Sequence, residues 1–261
     1  MSSVDLMKLI QRNVLSLEPY HVEDNDCEIK LHANENPFPP SKELLDLFSA
    51  SLQKLQLNRY PDPDSKALKD SIANRLDIKT ERLVIGNGSD EIILFLLQVF
   101  CQEGDTIIFP EPTFAMYSII AQSLSIKSAS ISLDSQWNFN ADVLLRSAEE
   151  NNSRIIFLSY PNNPTGNCFS DIQVQKVIES FQGIVVIDEA YHDFSRKSFI
   201  NQIEEHNNLV VLRSLSKIGL AALRVGFGVA DPLVINEINK VRLPYNSNTI
   251  SQTFAEHLIT N

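Results

Sequence analysis

Apolar residues recur along this chain in two arrangements that alternate. The first is a short continuous run: LVI at 83–85, RIIFL at 154–158, IVVI at 184–187 and LVVL at 209–212. Runs of this length bounded by polar residues read as strands. Continuity means burial on both faces, since a strand with one wet face would alternate. Segments 105–109, 126–133 and 225–230 also read as strands. The second arrangement is longer and polar on one side. It predicts helices over 41–55, from Asp64 or Ser65 to about Leu76, and over 92–101, 115–122, 141–151, 170–181 and 231–242. A last helix starts at Thr249 or Ser251. Ser41 is a candidate N-cap, with Glu43 in the first turn. Strands alternating with helices predict an α/β fold, a mostly parallel sheet with helices on both faces. Residues 3–11 are expected to form a short helix, broken by LEPYHV at 17–22. The proline-rich LHANENPFPP at 31–40 is expected to be an ordered loop.

Composition narrows what such a sheet can serve. The 261 residues are 43% hydrophobic and 21% charged, ordinary for a globular protein, and enough for one large α/β domain. The net charge of −11 argues against nucleic-acid or anionic-membrane binding. Cys27, Cys101 and Cys168 are far apart and the five histidines show no metal-ligand spacing, so no metal site is expected. Residues 1–19 lack the apolar run of a secretory signal, and no stretch reaches the length of a membrane span. The expectation is a cytoplasmic protein.

Ligands of open α/β sheets bind beyond the carboxyl ends of strands. Four polar clusters stand at such ends. LRSLSKIGLAALRVG places Lys217 after a buried strand, between Ser214, Ser216 and Arg224. A desolvated lysine is a nucleophile toward carbonyls, and hydroxyls with an arginine suit a phosphate, which together point to pyridoxal phosphate. The alternative is a lysine in a surface loop. In GNGSDE, glutamate replaces the third glycine of a dinucleotide turn, so Gly88 and Ser89 read instead as one phosphate site at a helix N-terminus. The alternative is a helix cap by Ser89 or Asp90. Asp188 ends an apolar strand and needs a partner: a pyridinium N–H, an arginine, or a helix it caps. Asn163 and Tyr191 could reach a phenolic oxygen, or serve only loop structure. Phe114 could stack on a ring, or be core.

GNGSDE, SYPNNPTG, VVIDEAYHDF and LRSLSKIGLAALRVG, in this order along the chain, resemble fold-type I pyridoxal-phosphate aminotransferases. LHANENPFPP, NRYPDPD and LPYNSNT are similar to the histidinol-phosphate aminotransferase branch. The resemblance implies a transaminase interconverting histidinol phosphate and 2-oxoglutarate with imidazole-acetol phosphate and glutamate, in histidine biosynthesis. A phosphothreonine-type decarboxylase, an aromatic aminotransferase and an idle cofactor-binding paralogue are the rivals. It further implies Lys217 as Schiff-base and proton-transfer lysine, Asp188 on the pyridine nitrogen, Asn163 and Tyr191 on the phenolic oxygen, and Phe114 on the ring. Gly88, Ser89, Asp90, Ser214, Ser216 and Arg224 would hold the cofactor phosphate. Tyr60 would reach the phosphate of a second subunit, hence a homodimer, and Tyr20 and Asn36 would lie near substrate. Lys217 and Arg224 are seven apart where many relatives have eight. The implied division is an arm and loop over 1–36, a large cofactor-binding domain over 37–242, and the start of a small, largely missing C-terminal domain over 243–261. Because the arginines that bind substrate in relatives lie beyond that point, an incomplete catalyst is expected.

Overall fold

The computed structural model describes residues 4–19 and 28–260. Seven strands form one sheet: β1 (Leu83–Asn87), β2 (Thr106–Glu111), β3 (Lys127–Ser132), β4 (Ser153–Ser159), β5 (Ile184–Asp188), β6 (Leu209–Ser214) and β7 (Val225–Val229). The order is β1-β7-β6-β5-β4-β2-β3. β7 pairs antiparallel with both neighbours and the remaining pairs are parallel. The runs at 184–187 and 209–212 are continuous because alternate residues enter two cores. Val185, Ile187, Leu209 and Val211 pack on one face, and Val186, Val210 and Leu212 on the other. Helices α4 (Ser89–Phe100), α5 (Met116–Ser123) and α9 (Pro232–Val241) cover the second face, through residues such as Ile92, Tyr117 and Ile235. The first face is covered by α3 (Lys66–Leu76), α6 (Ala141–Glu150), α7 (Asp171–Ser180) and α10 (Thr249–Thr260).

Helix α2 (Lys42–Leu52) starts as expected, with Ser41 Oγ accepting the Leu44 N–H at 3.2 Å. Its Phe48 stacks on Phe254 of α10 at 4.0 Å. Two local expectations are corrected. The cap of α3 is neither Asp64 nor Ser65: Ser65 has φ +50° and no capping bond, and Asp62 accepts the Lys66 N–H at 2.7 Å. The prolines at 61 and 63 hold this turn extended, which moves the capping carboxylate upstream. The expected helix at 3–11 is a 3-10 turn, Leu6–Leu9, followed after extended Gln11 by the single-turn α1 (Arg12–Leu15). Both are short and mostly exposed, and α1 is held to the end of α5 by Asn13 Nδ2, which donates to the Ser123 carbonyl at 2.8 Å.

Candidate active site

Strand polarity and pleat decide which side chains meet. Chemistry collects where β1, β4, β5 and β6 end. Antiparallel β7 contributes its amino end, which returns Arg224 to the same edge beside Ser214.

Asp188 lies two residues beyond Val186 and so shares its face, the one covered by α5. There the Tyr117 phenol donates to Oδ2 at 2.8 Å, and the Ala190 N–H donates to Oδ1 at 3.1 Å. Asp188 is 3% exposed, and no cation among the described residues contributes to its environment. Burial pushes the carboxyl up to about 6; the two hydrogen bonds oppose the rise, and the carboxylates of Asp90 and Glu189 add to it. The arginine pairing open to it in sequence falls to Glu189 instead. That buried carboxylate takes Arg213 at 3.0 Å, Ser198 Oγ at 2.8 Å and the Phe199 N–H at 2.7 Å. Nor does Asp188 cap a helix. A buried carboxylate without a cation is costly, and the bonds from Tyr117 and Ala190 offset only part of that cost.

Gly88 is the N-cap residue of α4 at φ +79°, and no side chain caps that helix, which excludes capping by Ser89 or Asp90. Among the described residues no side chain takes the first N–H groups of α4, which stand at the positive end of the helix. A Cβ on Gly88 would sit 2.7 Å from Arg224 Nη2, and one on Gly226 would sit 2.4 Å from the Gly88 carbonyl carbon. Two missing side chains thus let turn, strand and guanidinium close on one another. Arg224 Nη1 donates to Ser216 Oγ at 3.4 Å, and Ser214 Oγ donates to Ser216 Oγ at 2.9 Å. Asp90 faces Arg224 at 3.3 Å in an exposed pair, which is worth little and leaves the guanidinium available. Helix N-terminus, two hydroxyls and guanidinium converge in a cradle whose donors suit an anion.

Lys217 lies in a 3-10 turn, Ser216–Ile218, directly after β6. It is not a surface lysine. Its Nζ donates to the Ala33 carbonyl at 2.8 Å and stands 5.5 Å from the centre of the Tyr191 ring. Asn34 Nδ2 donates to the Tyr191 hydroxyl at 2.9 Å. The loop at 31–36 therefore lies across the lysine. Its Asn36 borders Gly219, 3.4 Å from where a Cβ would be, and its Oδ1 accepts the Phe38 N–H at 3.0 Å.

Neighbouring asparagines divide their work. Asn162 is buried and clamps loops together, donating to the Pro112 carbonyl at 2.9 Å and accepting from Thr113 Oγ1 at 2.9 Å. Asn163, by contrast, is fixed by its backbone N–H on Ser159 Oγ at 3.3 Å, and its side-chain amide bonds no described residue. Phe114 is half-buried and meets Tyr117 edge-on, with centroids 5.5 Å apart and planes at 85°. Tyr60 is not drawn into the cluster. It is 80% exposed and stacks on Tyr245 at 4.6 Å. Tyr20 lies outside the described residues. A groove between α7 and residues 197–202 is lined by none of the site residues expected from sequence.

Sequence reasoning missed Tyr117, Asn34 and the Glu189–Arg213 pair. Tyr117 sits in an apolar helix face and reads as core. Its one signal is a polar atom on a face that has nowhere to put one.

Comparison with known proteins gives the family. The family model for aminotransferase class I and II matches residues 27–261. Histidinol-phosphate aminotransferase 2 of Nitrosococcus oceani is 39% identical over 248 residues, 95% of this chain and 69% of that protein. Histidinol-phosphate aminotransferase of Flavobacterium johnsoniae is 39% identical over 266 residues, 98% of this chain and 72% of that one. The chain thus spans about seven tenths of the length of these curated relatives. Among solved structures, histidinol-phosphate aminotransferase from Sinorhizobium meliloti in complex with pyridoxal-5'-phosphate superposes with a TM-score of 0.81 at 20% identity. That match covers 88% of this chain and 63% of the other, and it speaks for the fold. The fold, the edge cluster and the matched length have one meaning: the chain belongs to the class I and II aminotransferase family.

Proposed function

We propose that this chain binds pyridoxal phosphate and serves the transamination of histidinol phosphate and 2-oxoglutarate to imidazole-acetol phosphate and glutamate, a step of histidine biosynthesis. One observation carries the cofactor reading: Asp188, buried and without a cation, at hydrogen-bonding distance from Tyr117 and on the same sheet edge as the anion cradle. The relatives' names favour histidinol phosphate over the substrates of a phosphothreonine decarboxylase or an aromatic aminotransferase.

When bound, the cofactor supplies an electron sink for the substrate's α-carbon. The chain supplies position and charge. Asp188 holds a proton on the pyridine nitrogen, and Tyr117 and the Ala190 N–H hold Asp188. Gly88, Ser89, Asp90, Ser214, Ser216 and Arg224 take the phosphate, with Asp90 acting through its backbone. Phe114 covers one ring face, and Asn163 and Tyr191 bond the phenolic oxygen. Lys217 Nζ would hold the cofactor at its aldehyde carbon and would carry the proton at the substrate's α-carbon. Nζ donates to the Ala33 carbonyl, a bond it would give up for this work, and Asn36, beside the same turn, would lie near substrate. Residues 37–242 would form the cofactor-binding domain and 243–261 would lead into a further one, with α10 itself packed on the first face of the sheet. Tyr60, exposed and rigidly placed, completes the cradle of a second copy in a homodimer. A reducing compartment, the cytoplasm, suits the free thiols of Cys101 and Cys168.

The test is purified chain loaded with pyridoxal phosphate and assayed with histidinol phosphate, phosphothreonine and phenylalanine, each with 2-oxoglutarate. Amino transfer from histidinol phosphate above the other two supports the reading. Release of carbon dioxide from phosphothreonine, or preference for phenylalanine, replaces it.

A further inference from the structure

Glu91 occupies the position where a dinucleotide-binding turn would carry its third glycine, and the cradle does not use its carboxylate. Its Oε2 accepts the Asn87 N–H at 2.8 Å and Asn246 Nδ2 at 2.7 Å. Its Oε1 accepts Asn87 Nδ2 at 3.3 Å. Asn87 Nδ2 also donates to the Asn246 carbonyl at 2.6 Å, and Asn246 Nδ2 to the Ile85 carbonyl at 3.2 Å. The residue just before Gly88 is thus held through both its backbone and its side chain.

The contacts continue outward. Arg242 Nη1 donates to Asn246 Oδ1 at 3.0 Å and to the Pro63 carbonyl at 2.8 Å. Its side chain is only 10% exposed, with Nη2 3.6 Å from Asp64. Gln252 Nε2 bridges the carbonyls of Asp62, at 3.0 Å, and Ser247, at 2.9 Å. Tyr60 leans on Tyr245 in the same place.

A carboxylate in the first turn that reaches back to an N–H ahead of the cap is ordinary helix-start chemistry. Here that carboxylate is shared with Asn246, 155 residues away. A glycine turn has no side chain to hold it, so the direction of its N–H groups depends on what grips its neighbours. We propose that Glu91, Asn246 and Arg242 are positioning residues, which fix the anion cradle by tying Asn87, the residue before Gly88, to the turn that carries Tyr60. The proposal rests on the reading that the cradle holds the phosphate of pyridoxal phosphate. None of the three touches that phosphate. Their loss loosens the phosphate end of the site and leaves the ring end, at Asp188, in place.

The experiment titrates Glu91→Gln, Asn246→Ala and Arg242→Gln chains with pyridoxal phosphate and with pyridoxal, which has the same ring and aldehyde but no phosphate. Bound ligand is read by absorbance, and the thermal midpoint of the ligand-free chain is measured alongside. In each variant the preference for the phosphorylated ligand falls about tenfold, equivalent to ~1.4 kcal/mol, while pyridoxal affinity holds. Equal losses for both ligands would mean that the three residues merely stabilise the fold, and would overturn the proposal. An unchanged ratio would overturn it too. If Glu91→Gln does not fold, the other two variants, which remove the outer partners, carry the same comparison. Wild-type chain without any preference for the phosphorylated ligand would instead overturn the reading of the cradle itself.

Discussion

Tyr117 donates a 2.8 Å hydrogen bond to Asp188 across 71 residues of sequence, and both side chains are buried. Asp188 lowers its own cost of burial through that bond, and Tyr117 finds there the one acceptor its hydroxyl needs. The phenol is held far on the protonated side, by burial first and by the Asp188 charge second, so it acts as a donor.

Tyr117→Phe therefore removes a donor and keeps the packing. A hydrogen bond to a charged group is worth roughly 1.5–3 kcal/mol, so turnover should fall about tenfold or more. The carboxyl, having lost a bond that lowers its pKa, should ionise at higher pH, and the acid limb of the rate profile should move up with it. A pH–rate profile of wild type and variant checks this. A uniform loss with an unmoved acid limb would show Tyr117 to be packing only.

Asp188 also predicts a pH dependence of stability. Its carboxyl is raised from 3.8 to about 6 in the folded chain. Between those values the folded state keeps a proton that the unfolded state has lost. The contribution is thus fully present below the ordinary pKa and is lost as pH rises through about 6. The size is on the order of ~3 kcal/mol. In the cofactor-free chain, Asp188→Asn should gain stability relative to wild type across this window and hold the gain above it. The same substitution should cost several orders of magnitude in turnover, ~4 kcal/mol for a preorganised electrostatic partner. Urea midpoints from acid to neutral pH measure the first effect; a wild-type-to-variant difference that stays flat with pH would count against it.

Lys217→Ala should abolish transamination and borohydride-trappable cofactor while leaving the fold. Nζ bonds the Ala33 carbonyl but no core group, so the cost in stability should be small. Reduction with borohydride followed by peptide mapping gives the answer. Label retained in the variant would move the role to another lysine.

Tyr60 offers a test of assembly. Its exposure and its stacking on Tyr245 suit action on a second copy. Mixing Tyr60→Phe chains with Lys217→Ala chains should create heterodimers with one site of wild-type composition, and part of the population should regain wild-type cofactor affinity. If every species stays as weak as the Tyr60→Phe parent, Tyr60 works within its own chain.

Much of this molecule was legible in one dimension. Continuous apolar runs announced strands covered on both faces, because burial follows the backbone's own periodicity, and the polar clusters were legible as the segments that follow strand ends. The two corrected helix starts were local misreadings. Asp62 and not Asp64 or Ser65 caps α3, since the prolines shift the turn, and 3–11 is too short and too exposed to hold a helix alone.

What only the tertiary structure decided were choices between chemically equal candidates. Asp188 and Glu189 are adjacent carboxylates, and the pleat sends one to Tyr117 and the other to Arg213. Asn162 and Asn163 are adjacent amides, and one is spent on loop structure while the other stays available. Arg224 reaches the cradle because β7 reverses direction beside β6. The physical reason is common to all three. Sequence carries residue type and local period, but which of two like groups is desolvated, and beside what, depends on packing between segments far apart along the chain.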